Sequence, residues 1–233
     1  MLEIGQFLCN NVFRERCWVA YEDGRAVVVD PGFVDATEFA PFEEFIRKEG
    51  LRLEAVFVTH GHFDHIFGVK RLLAAYGDVP VYMHPADKDL QEMGREMAAL
   101  YGEDPDVVFD TVDIADGDVI EAAGRKWEVI GTPGHSKGGV CFYCREEKLL
   151  FSGDTLFAGS IGRTDLHGGD YGELIVSIMD KLLGLDGATD VLPGHGPATT
   201  ISDERTHNPF LEPWGDRMDN GIDWDADGIE LNG

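Results

Sequence analysis

Basic residues are scarce in this chain: 19 Lys and Arg stand against 44 Asp and Glu, for a formal charge of −25 at pH 7. Nucleic-acid binding depends on Lys and Arg to neutralise phosphates, so no nucleic-acid partner is expected. Cysteines are also few. Cys9, Cys17, Cys141 and Cys144 are too scattered over 233 residues for a disulfide framework, and reduced thiols are the expectation. Cys141 and Cys144 form a CxxC, but the run Gly139 to Cys144 reads as a strand, in which positions three apart face opposite sides. The pair is expected to be buried and structural rather than a redox or zinc clip. No apolar run approaches 18 residues, and the N-terminus lacks a basic region followed by an apolar one. Neither a membrane partner nor export is therefore expected, and a cytoplasmic location is.

What the chain does have is concentrated in Thr59-His60-Gly61-His62-Phe63-Asp64-His65, directly after the apolar run Val56-Phe57-Val58. Side chains two apart in an extended segment point the same way, so His60 and His62 can grip one ion. A turn after them directs Asp64 and His65 toward a second position. Imidazole and carboxylate together suit zinc or iron. Further donors are expected downstream, and three segments supply one each beside glycines at a strand end. They are Gly131-Thr132-Pro133-Gly134-His135, Ser152-Gly153-Asp154 and Pro193-Gly194-His195-Gly196-Pro197. His84 also follows a strand, but it has no partner at ligand spacing and Pro85 opens a helix after it, so it reads as a structural or surface residue.

The order HxHxDH, then His, then Asp, then His resembles the metallo-β-lactamase superfamily, from about Leu2 to Leu211. The segment Phe157 to Leu166, with its Gly162-Arg163-Thr164-Asp165, and the later Glu204 to Leu211 resemble the glyoxalase II-like thioesterases of short, single-domain type. The resemblance implies a four-layer αββα sandwich, the metallo-β-lactamase fold, where pattern alone says only α/β or α+β. It implies two divalent metal ions, zinc first, with iron or manganese as alternatives. His60, His62 and His135 would hold one, Asp64, His65 and His195 the other, and Asp154 would bridge them. A hydroxide between the ions would attack a small-molecule thioester such as an S-2-hydroxyacylglutathione, with Asp64 as a ligand that also orients it. Arg163 stands where longer relatives place a lysine that binds a substrate carboxylate, against an internal salt bridge with Asp165 or Asp170. Asp30, in the turn Asp30-Pro31-Gly32, is a candidate support for the metal loop from behind. A mononuclear iron persulfide dioxygenase is the alternative enzyme, and a non-catalytic metal-binding module the alternative class.

In chain order, Leu2 to Cys9, Val12 to Tyr21 and Ala26 to Val29 predict a meander, with hairpin chemistry at Glu22-Asp23-Gly24-Arg25. Thr37 to Lys48 predicts a helix burying Phe39, Phe42, Phe45 and Ile46, capped by Thr37 and stopped at Gly50. Leu53 to Val58 is the strand into the metal loop, and a helix with Ile66, Val69, Leu72 and Leu73 runs on from Asp64 to Gly77. Val79 to Met83 is a strand. Pro85 to Asp118 is acidic, with a helix through Met93, Met97 and Leu100 and a loop at Glu103 to Asp106, and could overhang the site. Strands resume at Val119 to Glu121, Lys126 to Ile130, Gly139 to Tyr143 and Lys148 to Phe151, then a helix at Tyr171 to Leu183 and a strand at Asp190 to Leu192. Residues 1–211 read as the hydrolase domain and 212–233 as an acidic tail with seven acidic residues against one basic. Within the tail, Asp223 to Gly228 matches half of a calcium loop but lacks the closing glutamate. The tail is expected to be dispensable for chemistry.

Overall fold

The first half of the chain starts with a meander: β1 (Glu3–Cys9), β2 (Glu15–Glu22) and β3 (Arg25–Val29) pair antiparallel in sequence order. Asp23 and Gly24, with φ of 50° and 72°, form the tight turn between β2 and β3. Positive φ at both central residues is what the right-handed twist of a hairpin favours. In this computed structural model, residues 2–9, 12–100 and 107–211 are described. The Glu103 to Asp106 loop and the acidic tail with its Asp223 to Gly228 segment lie outside them.

Helix α1 (Ala36–Lys48) buries Phe39, Phe42 and Ile46, leaves Phe45 half-buried at the edge of the same core, and ends before Gly50 at φ 62°. Its cap is Asp35 rather than Thr37: the Asp35 carboxylate accepts the N–H groups of Thr37 and Glu38 at 2.7 and 2.9 Å. Strand β4 (Arg52–Phe57) joins parallel to β3. The single helix expected after Asp64 is two, α2 (Phe63–Ile66) and α3 (Val69–Tyr76). They part at Gly68, whose N–H donates to the Pro31 carbonyl at 2.7 Å. After β5 (Val81–Met83) come a 3-10 turn at Pro85–Asp87, α4 (Lys88–Leu100) and the short β6 (Val112–Asp113). Helix α4 turns Leu90, Gln91 and Gly94 inward and leaves Met93 and Leu100 exposed, so the apolar residues that suggested the helix are not its buried face.

The second half builds β7 (Val119–Ala122), β8 (Arg125–Gly131), β9 (Val140–Cys144), β10 (Leu149–Gly153), the small hairpin β11 (Leu156–Phe157) and β12 (Ser160–Ile161), α5 (Tyr171–Ser177), β13 (Asp190–Pro193), β14 (Thr199–Thr200) and α6 (Ile201–His207). Helix α5 continues as a π-helical turn, Ile178–Leu182, which completes the expected helical stretch. One sheet runs β1-β2-β3-β4-β5-β6 and the other β14-β13-β10-β9-β8-β7.

Alternation along the strands sorts side chains into three cores, which is what makes four layers. Cys17, Val19, Val28 and Val56 face Phe42, Ile46 and Leu72 under the helices of the first sheet. Trp18, Val27, Val29 and Phe57 meet Trp127, Val129, Phe142 and Phe151 between the sheets. Cys141, Tyr143, Leu150 and Val191 face Leu174, Ile178 and Leu182 on the far side. The fold is thus the αββα sandwich, and Cys141 and Cys144 do lie on opposite faces of β9, both free and buried. At the centre, the rings of Phe57 and Phe142 stack at 4.4 Å and those of Trp127 and Phe151 at 5.5 Å. Each such side chain contributes on the order of 1.5–3 kcal/mol by burial.

One end of the sandwich is stitched across the sheets. The Trp18 indole donates to the Pro193 carbonyl (2.9 Å), the Arg16 N–H to Gly194 (2.8 Å) and the Val140 N–H to Thr59 (2.9 Å). Two parallel pairs, β3 with β4 and β10 with β13, bring their C-terminal ends to this same place. No helix among the described residues is long and apolar enough to cross a membrane.

Candidate metal centre

Each sequence-predicted donor sits just past a strand at the stitched end, and the structure brings all seven together. His60 and His62 follow β4, and His62 has an extended backbone. The one-turn helix α2 then turns Asp64 and His65 back into the same cluster. His135 lies beyond β8, Asp154 immediately after β10, and His195 just past β13.

The donors form two triads. His135 Nε2 lies 2.8 Å from His62 Nδ1 and 3.2 Å from His60 Nε2. His195 Nε2 lies 3.3 Å from His65 Nε2 and 3.4 Å from Asp64 Oδ2. Tetrahedral coordination at the usual zinc–nitrogen length places neighbouring donors about 3.3 Å apart, which these distances approach. Asp154 spans the triads, with one oxygen 3.5 Å from His65 Nε2 and the other 3.6 and 3.5 Å from Nε2 of His135 and His195. Its Oδ1 is buried and has no hydrogen-bond partner in the protein. A buried carboxylate oxygen left in that state is costly unless a cation meets it.

The outer edges of the rings show which nitrogens carry protons. His135 Nδ1 donates to the Arg163 carbonyl at 2.7 Å and His195 Nδ1 to the Phe13 carbonyl at 3.0 Å. A carbonyl only accepts, so both Nδ1 atoms are protonated and both Nε2 lone pairs point inward. For His60 and His65 a single carboxylate does the same work. His65 Nδ1 donates to Asp30 Oδ2 (3.0 Å), and the Thr59 hydroxyl donates to the same oxygen (2.6 Å) while accepting from His60 Nδ1 (3.0 Å). Asp30, His60 and His65 also cluster within 4.8 Å. Asp30 meets the outer edge of His65 directly and that of His60 by way of Thr59, however, so it orients the donors rather than forming a third position. The donor set fits divalent ions, with His60, His62 and His135 facing one position and Asp64, His65 and His195 the other.

Electrostatics follow from this crowding. Burial, aided by the neighbouring rings, holds His60 well below its ordinary range and His62 down to about 4. Burial opposes charge on His65 too, but the carboxylates of Asp154, Asp64 and Asp30 outweigh it and raise that ring to about 10. Burial likewise pushes Asp64 up, yet His65 and His195 bring it down to about 2. His62, Asp154 and His195 are half-buried and the other donors are buried, so the centre opens to solvent on the side of those three. Phe157, on β11, stands edge-on to His195 with ring centroids 6.2 Å apart.

Arg163 reaches the site through its backbone: its carbonyl holds His135, while its exposed guanidinium pairs bidentately with Asp165 at 2.7 and 2.8 Å. Asp170 instead caps α5 through the Glu173 N–H. Sequence reasoning missed Thr59, the Phe13 carbonyl and the role of Gly194. A Cβ on Gly194 would lie 2.5 Å from the His65 ring and 2.6 Å from Asp154 Oδ1. Glycine beside a strand-end histidine was the only available signal for it.

An αββα sandwich with two His-rich triads converging on one aspartate defines a metallohydrolase type of protein. Residues 11–195 match the model of the Metallo-beta-lactamase superfamily, and the chain belongs to that superfamily of metal-dependent hydrolases. It is 35% identical over 206 residues to the hydroxyacylglutathione hydrolase GloC of Haemophilus influenzae, covering 85% of this chain and 93% of GloC. Among solved structures it resembles the B3 metallo-beta-lactamase BLEG-1, with 35% identity, a TM-score of 0.80, and 90% of this chain and 99% of that one covered. It also resembles TTHA1623 in a di-iron-bound form, with 37% identity, a TM-score of 0.76, and coverage of 87% and 98%.

Proposed function

We propose that the chain is a two-metal thioester hydrolase acting on a small acyl-thioester such as an S-2-hydroxyacylglutathione. The observation that carries the reading is Asp154, whose carboxylate spans two triads of inward-facing donors, Oδ2 reaching His135 and His195 while the buried Oδ1, beside His65, has no hydrogen-bond partner. Similarity to GloC over nearly its whole length supports the thioester as substrate. The metals, zinc first with iron or manganese as alternatives, would be held by His60, His62 and His135 and by Asp64, His65 and His195, with Asp154 shared. When bound, they lower the pKa of water toward about 7 and polarise a carbonyl.

The residues of the chain do the rest. Asp64, ionised at neutral pH, accepts a hydrogen bond from the attacking water and fixes its approach. Asp30, through His65 directly and His60 by way of Thr59, keeps the imidazoles in the tautomer that offers Nε2. Arg163 meets a carboxylate on the thiol carrier when it exchanges its Asp165 partner, a planar fork suited to such a group. The motif around Glu204 and Asn208 shapes this side: Glu204 accepts from the Gly159 N–H (2.8 Å), the Asn208 amide (2.8 Å) and the Thr199 hydroxyl (2.6 Å). It thereby pins the β11–β12 hairpin that carries Phe157 beside His195.

The test is metal analysis of protein purified without added metal, followed by assay of acyl-glutathione thioesters and of glutathione persulfide with an oxygen electrode. Thioester cleavage without oxygen consumption is expected. Oxygen uptake with persulfide and no thioester cleavage would replace the reading with a dioxygenase.

A further inference from the structure

Asp87 is a buried carboxylate, 1% exposed, at the end of the 3-10 turn after β5. It contributes to neither triad. Its Oδ2 accepts the Gly61 N–H (2.9 Å) and the Ser136 hydroxyl (2.7 Å), and its Oδ1 accepts the Gly138 N–H (2.6 Å). Gly61 separates His60 from His62, and Ser136 and Gly138 follow His135. One carboxylate therefore ties together the two loops that supply the three-histidine triad. Three donors thus converge on the two oxygens of one side chain.

The sequence of both loops is adapted to this residue. A Cβ on Gly61 would lie 2.6 Å from the Asp87 carbonyl, and one on Gly138 would lie 2.7 Å from the Asp87 carboxyl carbon. The turn is itself held in place, since His84 Nδ1 accepts the Ala86 N–H at 3.2 Å and the His84 carbonyl accepts the Asp87 N–H at 3.2 Å. That accounts for the strand-end His84 as a structural residue.

We propose that Asp87 is a positioning residue of the metal centre, setting the separation between the His60/His62 pair and His135. The proposal rests on the two-ion reading above. Its specific consequence is asymmetry: losing Asp87 loosens the three-histidine position and spares the position of Asp64, His65 and His195, which none of its bonds touch. In Asp87→Asn, one acceptor oxygen becomes an NH2 group facing donors, so at least one loop is released with little change in volume.

The test is titration of the full metal-free chain with Co(II), followed by visible absorption and calorimetry. His62→Ala and His195→Ala, each lacking a donor of one triad, assign the bands to positions. Asp87→Asn is expected to weaken Co(II) at the three-histidine position by ~10–100-fold, the range for groups that orient metal ligands, and to leave the other unchanged. Ser136→Ala, which removes one bond of the three, is expected to weaken the same position by ~3–10-fold. Wild-type affinity at both positions, or equal weakening of both, overturns the proposal by reducing Asp87 to a general stabiliser. If Asp87→Asn does not fold, the same criteria applied to Ser136→Ala decide. Wild-type chain that binds fewer than two Co(II) ions overturns the two-ion reading itself, and this proposal with it.

Discussion

Asp30 and His65 are joined, both fully enclosed, by a 3.0 Å bond between Oδ2 and Nδ1, and the same oxygen takes the Thr59 hydroxyl. Asp30 also has a φ of 48°. Asn adopts that left-handed conformation readily and Ala does not, which separates chemistry from backbone strain. Asp30→Asn is expected to keep the fold and to lose ~10–100-fold in metal affinity or turnover. Asp30→Ala should also lower the melting temperature of the metal-free chain. Asp30→Asn with wild-type metal affinity would leave Asp30 as a turn residue only.

Asp154→Asn replaces the carboxylate that spans the inner faces of both triads by a neutral amide. Metal content measured after dialysis should fall below that of wild type, and nearly all turnover should go with it. A variant that kept two ions per chain and the wild-type rate would remove Asp154 from the centre.

The metal-free chain should be most stable near pH 6.5, the ordinary value for histidine. His65 is raised to about 10, so its favourable charge is fully present below about 6.5 and lost as pH rises toward 10. His62, depressed to about 4, acts in the other direction: its contribution is present above about 6.5 and lost as pH falls toward 4. Asp64, held at about 2, adds a further loss below about pH 4. Thermal unfolding across pH in the presence of a chelator checks this. Added metal should stabilise more as pH rises, because the ion displaces the His65 proton. A flat profile without metal would contradict the charge pattern.

Arg163→Ala removes the guanidinium and leaves the carbonyl that holds His135. KM for carboxylate-bearing thioesters should rise by at least tenfold while uncharged thioesters are little affected, in line with loss of a bidentate charged contact. Equal effects on both substrate types would assign Arg163 to its Asp165 pair alone.

The facing of strand residues and the donors were legible in the sequence because both are local, whereas the four-layer αββα arrangement followed from the family resemblance and not from pattern. Alternation over a few residues sends Cys17 and Trp18 to different cores, and Cys141 and Cys144 to opposite faces of β9, before any tertiary contact is considered. The seven donors announced themselves as His and Asp beside glycines at the ends of apolar runs. The two-residue strands β6, β11, β12 and β14 were not legible, being too short to show a period. The break at Gly68 escaped for another reason, since it depends on the Pro31 carbonyl 37 residues earlier.

Everything that aims the donors was decided by tertiary structure. Parallel pairing of β3 with β4 sets Asp30 beside Thr59, and parallel pairing of β10 with β13 sets Asp154 beside Gly194. Strand composition does not disclose which neighbour a strand will choose. Asp87 reads in sequence as one more acid in an acidic stretch, because its three partners stand 26, 49 and 51 residues away. A side chain's identity is written at its own position, but the direction its lone pair faces is determined by groups that only the packed chain brings within 3 Å.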